Sequence, residues 1–573
     1  MIIGIVASVV RRALVSGEYR VRIQVAAGKV TADQVNYPLY IELSTLPAAF
    51  LSHLRYRDGR DIRAYNSEGV QLPLDVVSVN IDKGTGSLFV RTSLSAASGA
   101  EVILGCGPYR QSEPPTALTG RNAVWAEFHR VFAFAGDLVD RTGNGAELAF
   151  NPLFPVYQGV EIATSPNVHS HQGVCWDGGH YYVVDTNRIT KYNSAWVQVA
   201  DNANPLAGIG GVNHCGDPEV RNGVLYIPVE TYVNVTTWSG MKVARYSSAD
   251  LSLLDYIDIS ANGHEVSSIA WVDELGEFLV TSYADKDNQT LYRYSESLSL
   301  TGTISLDAPI YRIQGITYLN GGLYVSSNST DAGKLVYRVT MGGNVLAPVW
   351  GMAGTMEGLG KKDGNLLVLV DPNGDSNGAV HEIQLATIAG GGAVFPLSAS
   401  GQYGYLTASN VGRYTSWTMG VSYALREKAA INQSIASYGY SGAPQNEHRA
   451  SLAWQDTSDR VGFWNTHDKW LYDLDAPEIG AFHRYHAVQS GTSSRALFKD
   501  GVSTATGVAS VLMPSAQADQ LLFGVEDGDM GEKASGILGL AYLYPGVLSA
   551  TRINAEASNL KNPAGFYSVS EVP

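Results

Sequence analysis

Residues 213–230, NHCGDPEVRNGVLYIPVE, contain the pattern that decides the fold. A polar stretch leads into a short strand, and a turn carries the chain into a second apolar strand. Four further segments repeat this pattern: HSHQGVCWDGGHYYVVD (169–185), GHEVSSIAWVDELGEFLVTS (263–282), YRIQGITYLNGGLYVSS (311–327) and MEGLGKKDGNLLVLVD (356–371). Each copy is followed by another strand, in order ITKYN, VARYS, LYRYS, LVYRVT and VHEIQL. The period of about 45 residues is typical of a four-stranded β unit.

Five such copies predict a ring of five β-sheets. A single four-stranded unit cannot bury both of its faces, so the repeats must stack and close on each other. The region 155–388 resembles the broad class of five- to seven-bladed β-propellers, and we expect one blade from each copy.

The segments on either side of the ring resemble one β-sandwich split in two. Residues 121–150 include AVWAEFHRVFAFAGDLVDRTGNGAELAF, and the second part contains TSWTMGVSYAL (415–425), HRYHAVQS (483–490), FKDGVS and GILGLAYLYPGVLSA (536–550). Their order and the Asp-x-Thr-Gly-Asn-Gly turn at Asp140 are similar to those of laminin-G-like (concanavalin-A-like) jelly rolls. We therefore expect a discontinuous sandwich formed by 121–152 and 391–562, with the propeller inserted in a loop near its start.

The N-terminal part predicts a separate small β-sandwich over 17–110. Its strands and core read YRVRIQV (19–25), DGRDIRAYNSEGVQLPL (58–74), LFVRTSL (88–94) and ILGCG (103–107). This pattern resembles a family of small β modules of unassigned function found in phage tail and prokaryotic surface proteins. Residues 1–16 are expected to be an arm and 563–573 a C-terminal tail. The fold class is thus all-β: an N-terminal β-sandwich and a five-bladed propeller inserted in a laminin-G-like sandwich.

The charge balance argues against nucleic acid as a partner. The chain has 39 Lys and Arg against 54 Asp and Glu, a net charge of −15, and such a surface repels phosphate. Its N-terminal apolar stretch is about ten residues and precedes Arg11 and Arg12, the reverse of a signal peptide. We expect no membrane span. Three cysteines are too few for a secreted disulfide framework.

The propeller axis is the expected ligand site, because the starts of the inner strands converge there. The residues directly before these strands are Gln172, Asp217, Ser267, Gln314 and Glu357. Three positions earlier stand His169, His214, His264 and Tyr311, with His171 and Glu265 beside them. The histidines His169, His214 and His264 suggest a transition-metal site, since neutral imidazole is a common ligand. A polar ligand-binding channel and a purely structural ring of polar side chains are the alternatives.

Catalysis at the axis would need paired carboxyl groups. Asp217, Glu265 and Glu357 are the candidate acids. Oxygen-rich loops at 285–289, 371–378 and 526–532 suggest Ca²⁺ as a further candidate ligand, although such runs are also common in turns. No cofactor is required by this reading.

Together the resemblances imply a phage tail fibre or baseplate-tip protein that attaches the virion to a host-surface glycan or protein. Its partners would be other tail proteins, with the N-terminal module facing the virion and assembly as a homo-oligomer, for example a trimer. It would be assembled in the host cytoplasm and act extracellularly. The enzymatic alternative is a polysaccharide depolymerase with its site at the propeller axis. A bacterial surface adhesin is the third alternative.

Overall fold

The computed structural model describes most of residues 18–572. The exceptions are 82, 108–113, 115–117, 134–139, 145–148, 151–158, 170, 235–236, 284–287, 329–333, 353–354, 372–376, 386–392, 395–405, 410–413, 415, 426–432, 440–449, 456–458, 466–467, 474, 480, 492–493, 509–519, 524, 527–528 and 534–535. The arm predicted at 1–16 lies outside the described residues. The chain divides into two compact units, one formed by Met1–Val156 with Thr387–Pro573 and the other by Tyr157–Ala386.

The second unit is a five-bladed β-propeller, as the five repeats predict. Each repeat forms one antiparallel sheet in which the strands follow one another in chain order. The first blade consists of Gly173–Trp176, His180–Asp185, Arg188–Asn193 and Gln198–Asn202, and the second of His214–Cys215 with Glu219–Arg221, Val224–Asn234, Thr237–Ser247 and Leu253–Asp258. The third blade consists of Ser268–Val272, Glu277–Thr281, Asn288–Ser295 and Leu300–Ile310. The fourth consists of Ile313–Leu319, Gly322–Ser327, Lys334–Val339 and Val345–Met352. A 3-10 turn, Ser260–Asn262, leads into the third blade.

The fifth blade closes the ring by combining both ends of the unit. Its strands Thr355–Lys362, Asn365–Asp371 and Asn377–Leu385 come from the last repeat. Its outermost strand, Gly159–Thr164, precedes the first blade in sequence and pairs with Asn377–Leu385. The short strand Val168–His169 pairs with the same partner. The inner strands of neighbouring blades contact each other around the whole ring.

Turn chemistry fixes the blade hairpins. The turns between the first and second strands use Asn222-Gly223, Asn320-Gly321 and Asp363-Gly364, with both residues at positive φ. This is the type I′ geometry that matches the twist of antiparallel strands. The loops between the third and fourth strands also repeat, each with one left-handed residue: Trp196, Leu251, Leu298 and Gly343. Leu251 and Leu298 are buried, so the loop anchors a side chain in its blade.

The N-terminal module consists of two sheets around an apolar core. One sheet orders Gln71–Leu72, Arg63–Tyr65, Ala100–Cys106, Tyr19–Val25 and Tyr567–Glu571, and the other orders Gln34–Glu42, Thr85–Leu94 and Leu74–Asn80. Two short helices, Leu43–Thr45 and Ala48–Ser52, connect strands of these sheets. The core includes Ile23, Leu39, Phe50 and Leu104.

The fate of the C-terminal tail corrects the sequence analysis. Residues 563–573 were expected to follow the sandwich as a tail. Instead Pro563–Phe566 is a helical turn and Tyr567–Glu571 is a strand that pairs with Tyr19–Val25 of the N-terminal module. The segment is too short and polar to be recognised from alternation alone, and its partner lies more than 500 residues away in sequence.

The laminin-G-like sandwich consists of two seven-stranded sheets. One contains Ala393–Val394, Gly536–Tyr544, Trp417–Leu425, Phe482–Ser490, Ser494–Lys499 and Val502–Val508, with Arg130–Phe132 paired to Gly536–Tyr544. The other orders Asp468–Tyr472, Arg460–Asn465, Ala450–Gln455, Gln433–Gly439, Gln520–Phe523, Leu406–Ser409 and Ala149–Phe150. A separate hairpin is formed by Val525–Glu526 and Asp529–Lys533. Segments from before and after the propeller therefore meet in both sheets.

A C-terminal helix, Ala550–Lys561, joins the sandwich to the N-terminal module. Ser549 caps it by accepting the amide of Arg552. Asn559 exchanges two hydrogen bonds with the backbone of Tyr40, at 2.8 and 3.0 Å. A second joint is made by Arg141, which follows the short helix Arg121–Val124 and donates to Asp75 of the module at 2.6 Å. Sandwich and module thus share buried polar contacts.

Candidate active site

A polar cavity of about 430 Å³ lies at the axis of the propeller. It is found at the end of the ring where the first strands of the blades begin and their second strands end. All five blades contribute to its wall, which is lined by His171, Gln172, Thr186, Asn213, His214, Cys215, Gly216, Glu230, Tyr232, Glu265, Val266, Ser267, Tyr283, Gln314, Asn328, Thr355 and Glu357. Such a wall offers many hydrogen-bonding groups to a polar ligand.

Two glutamine residues from the predicted ring hold other site residues in place. Gln172 Oε1 lies 3.0 Å from His214 Nε2, and Gln314 Nε2 donates to Glu357 Oε2 at 2.6 Å. Burial lowers the pKa of His214 to about 4, and the neighbouring His171 lowers it further in the same direction. His214 is therefore a neutral imidazole that donates to Gln172.

Glu357 is a buried acid. Desolvation, together with the charge of Asp371, raises the pKa of Glu357 to about 8, although Lys334 and Gln314 oppose the shift. At neutral pH its carboxyl group therefore carries a proton. Because Gln314 donates to Oε2, Oε1 is the oxygen left to hold that proton.

A pair of carboxyl groups, Glu230 and Glu265, forms another part of the wall. Burial raises the pKa of Glu230 to about 9, and the charge and hydrogen bond of Glu265 raise it too. The amide of Tyr283 donates to Glu265 Oε2 at 2.5 Å. Adjacent carboxyl groups resist being ionised together, so Glu230 keeps its proton at neutral pH.

Glu230 was missed by the sequence analysis, although the repeats contain a signal for it. The five repeat segments quoted above end in Asp185, Glu230, Ser282, Ser327 and Asp371. Four of these positions lie at or next to the ends of second strands, and Glu230 lies within the strand Val224–Asn234. Of the five, Glu230 lines the cavity, and the sequence analysis aligned the starts of the first strands and not these positions.

Asp217, a predicted catalytic acid, is placed differently. It does not line the cavity and is fully buried among the inner strands. Its Oδ1 accepts the amide of Val174 and its Oδ2 accepts the amide of Leu359, both at 3.1 Å. Its own amide donates to the carbonyl of Ser267 at 2.9 Å. Asp217 thus ties four blades together at the axis, and burial raises its pKa well above the usual range.

The glycines of the inner strands are explained by this aspartate. Gly173, Gly315 and Gly358 follow Gln172, Gln314 and Glu357 directly. A Cβ atom at Gly173 or Gly358 would come within 2.4–2.5 Å of Asp217 Oδ1, and one at Gly315 within 3.1 Å of Oδ2. The repeated Gln/Glu-Gly pair therefore leaves room for one shared carboxyl group.

The three histidines proposed as metal ligands do not form a ligand set. His264 Nε2 lies 2.6 Å from the hydroxyl of Tyr294, its Nδ1 contacts the carbonyl of Glu265, and its ring stacks on Tyr292. His169 is exposed and 3.5 Å from Asp185. Equal spacing along the sequence did not give equal orientation, because the segments before the inner strands differ in path. Within the described residues, no three His, Cys, Asp or Glu side chains are arranged to hold a metal ion.

Two further predictions concern positions outside the cavity. Tyr311 does not line it, and Arg312 packs over its ring at 5.5 Å. The Ca²⁺ candidate loops 285–289, 371–378 and 526–532 lie in part outside the described residues. No helix in the described part of the chain is long and apolar enough to cross a membrane.

No protein-family model matches the chain, and no curated protein is similar to it in sequence. Among solved structures, a GH43 protein of Bacillus licheniformis is similar at 11% identity over 70% of this chain and 100% of that chain, with a TM-score of 0.29. The Trypanosoma rangeli sialidase in complex with sialic acid matches at 9% identity over 73% and 98%, with a TM-score of 0.27. Domain 4 of a GH43 extracellular arabinanase from Geobacillus stearothermophilus matches at 14% identity over 29% and 76%, with a TM-score of 0.25. Similarities this low carry no argument about function.

Proposed function

We propose that the propeller binds a glycan in its axial cavity and hydrolyses a glycosidic bond there. This is the depolymerase alternative of the sequence analysis. The observation that supports it is the set of three carboxyl groups in one polar cavity, where Glu230 and Glu357 retain protons at neutral pH beside Glu265. Glycoside hydrolysis needs a protonated acid and an ionised carboxylate at the same time.

Glu357 is suited to be the general acid. With a pKa of about 8 it is protonated at neutral pH, and Gln314 fixes its orientation. In the reaction it would give its proton to the leaving glycosidic oxygen as the bond from that oxygen to the anomeric carbon breaks.

Glu265 is suited to be the opposing carboxylate. It would either attack the anomeric carbon or take a proton from the attacking water, the two routes open to such a pair. Glu230 shares a proton with it and so controls its charge before the substrate enters. Analysis of the anomer of the first product by NMR distinguishes the two routes.

Charge-neutral variants test the proposal on purified bacterial surface polysaccharides, with release of reducing ends as the readout. We expect Glu357→Gln and Glu265→Gln each to lower the rate roughly 10²–10⁴-fold, the usual effect of losing an acid–base group. Because Glu357 must be protonated, the wild-type rate should fall as the pH rises through about 8.

Glu296→Gln is the matched control. Glu296 is an exposed propeller glutamate that pairs with Arg221 and does not line the cavity. Its substitution should leave the rate within about twofold, since exposed ion pairs contribute little. A wild-type protein that binds a glycan but releases no reducing ends would overturn the hydrolase proposal in favour of attachment alone.

The attachment function stays a prediction from the sequence resemblances. Membership of a phage tail, tail-protein partners, homo-oligomeric assembly and extracellular action are proposals of the same standing. An attachment protein that also cleaves its receptor glycan would satisfy both proposals. Electron microscopy of purified virions labelled with an antibody against the propeller tests the tail assignment.

A further inference from the structure

The charge of the axial cavity is one-sided. Three glutamates line it, and none of the described residues that line it is lysine or arginine. Two cations lie behind the wall and already have partners. Arg312 donates to the hydroxyl of Tyr283 at 3.3 Å, and Lys334 donates to the carbonyl of Asn328 at 3.5 Å. An anionic ligand would therefore meet carboxyl groups without a compensating cation.

One carboxyl oxygen of Glu230, Oε2, lacks a hydrogen-bond donor, whereas the backbone of Val266 hydrogen-bonds to the carboxyl group. The residue is 3% exposed, and no donor group in the described structure reaches its Oε2 atom. Buried polar atoms are nearly always hydrogen-bonded, and each exception needs an explanation. Glu230 lines the cavity while Oε2 itself is enclosed, so a ligand in the cavity can supply the missing donor once the carboxyl group turns towards it.

We propose that the cavity receives a sugar bearing a free ammonium group, as in a de-N-acetylated amino-sugar polymer, with the ammonium bound by Glu230 and Glu265. This inference rests on the proposed function and specifies its substrate class. An ammonium group has three N–H donors and a full positive charge, so it satisfies both carboxyl groups at once. A metal ion is a weaker fit, because no group of three ligands exists among the described residues.

Binding would release a proton. Before binding, Glu230 and Glu265 share one proton; afterwards both are carboxylates beside the ammonium, and the displaced proton goes to the solvent. The other titratable groups that line the cavity are His171, His214, Tyr232, Tyr283 and Glu357. His214 is already neutral, so it does not supply this proton.

Calorimetry with the full chain tests the inference at pH 6, where the amines of the sugar are already largely protonated and take up few protons on binding. The probes are a glucosamine tetramer and an N-acetylglucosamine tetramer of the same linkage, each titrated in phosphate and in bis-Tris buffer. We expect the glucosamine tetramer to bind roughly tenfold or more tightly, the contribution of one charge-assisted hydrogen bond. Its heat should differ between the buffers as expected for release of up to one proton. Equal affinities, or heats independent of buffer, would overturn the inference.

Variants distinguish specific binding at the cavity from non-specific attraction of a cationic oligomer to the acidic protein. Because the chain has a net charge of −15, any cationic oligomer is drawn to it weakly. Glu230→Gln should abolish both the preference for the glucosamine tetramer and the proton release, whereas Glu296→Gln should keep both. CaCl₂ alone is the metal control, and proton release on its addition would assign the site to a metal and refute the ammonium.

A failure of this inference can be distinguished from a failure of the proposed function. Cleavage of neutral or N-acetylated glycans with no preference for the amine would contradict this inference and leave the proposed function standing. Tight binding of the glucosamine tetramer without cleavage of any glycan would support the inference and contradict the proposed function.

Discussion

Two buried glutamates, one in each compact unit, show opposite electrostatics. Glu556 in the C-terminal helix and Glu230 in the propeller are 4% and 3% exposed. Burial alone would raise both pKa values. Arg484, with His486 and Tyr542, reverses the effect and lowers the pKa of Glu556 to about 2. At Glu230 the neighbouring Glu265 adds to the effect of burial, and the pKa rises to about 9 although the backbone of Val266 opposes the shift.

The hydrogen-bond partners of the two glutamates distinguish a structural carboxylate from one that is available to a ligand. Arg484 Nη2 donates to Glu556 at 2.6 Å and the hydroxyl of Tyr542 donates at 2.8 Å, so this carboxylate is saturated by the fold itself. Glu230 has an oxygen that no donor in the described structure satisfies. The ionised carboxylate of Glu556 therefore stabilises the fold, whereas Glu230, whose carboxyl group has no cation beside it and lines a cavity, is a candidate for binding or catalysis.

The largest effect on stability is expected at the compensated glutamate. Glu556→Ala leaves the guanidinium of Arg484 buried without its carboxylate, which should destabilise the sandwich unit by about 3–5 kcal/mol. Urea unfolding of the full chain, followed by fluorescence, measures the change. The double variant Arg484→Met with Glu556→Leu should recover most of it, because replacing both members of a buried pair is often neutral. A small loss in the single variant would refute the contrast.

Asp217 extends the comparison within the propeller, because backbone amides rather than a cation satisfy it. Asp217→Ala removes the acceptor for Val174 and Leu359 and should destabilise the propeller by about 2–4 kcal/mol. Thermal unfolding measures the loss. The Asp217→Ala variant should still bind the glycan when it is folded. Loss of glycan binding in a variant that circular dichroism shows to be folded would mean that Asp217 takes part in ligand binding.

Glu230→Gln should stabilise the protein, unlike the substitutions of Glu556 and Asp217. With a folded-state pKa of about 9 and an ordinary value of 4.5, Glu230 makes the wild type less stable as pH rises across that window, because only the unfolded chain ionises. The variant should therefore match the wild type near pH 4.5 and exceed it by roughly 1–3 kcal/mol at pH 8. Melting curves across this range provide the test, and a difference that shrinks with pH would be incompatible with a protonated Glu230.

The smallest effect is expected at the surface. Glu296→Gln breaks the exposed contact with Arg221 and should change the free energy of unfolding by less than about 0.5 kcal/mol. The same melting experiment checks it. A larger change would mean that exposed pairs contribute more to this propeller than the contrast between Glu556 and Glu230 allows.

Local sequence determined much of the fold. The repeats defined five blades, and pairs such as Asn222-Gly223 and Asp363-Gly364 marked turns whose φ angles the structure has. Local sequence did not reveal which strands pair when they are far apart in the chain. Neither Gly159–Thr164 as the outer strand of the fifth blade nor Tyr567–Glu571 in the N-terminal sheet has a local signal that names its partner.

The site was predictable to the extent that the strand register determined it. Gln172, Gln314 and Glu357 lie at the starts of inner strands, and each lines the cavity. The directions of side chains three residues earlier were not predictable, because they depend on local turns, as the stacking of His264 on Tyr292 shows. Asp217 lies one residue out of this register. The amides of Gln172, Gly216 and Ser267 donate to equivalent carbonyls of their second strands, so the counterpart in the second blade is Gly216, which lines the cavity.

The pairing of Tyr567–Glu571 with Tyr19–Val25 determines when the N-terminal sheet can be completed during translation. The first strand leaves the ribosome more than 500 residues ahead of its partner, and translation at about 5–20 residues per second makes it wait roughly half a minute to two minutes. Meanwhile the propeller has all of its strands within one continuous stretch and can close early. The nascent chain therefore carries an unpaired β edge at Tyr19–Val25 for most of its synthesis.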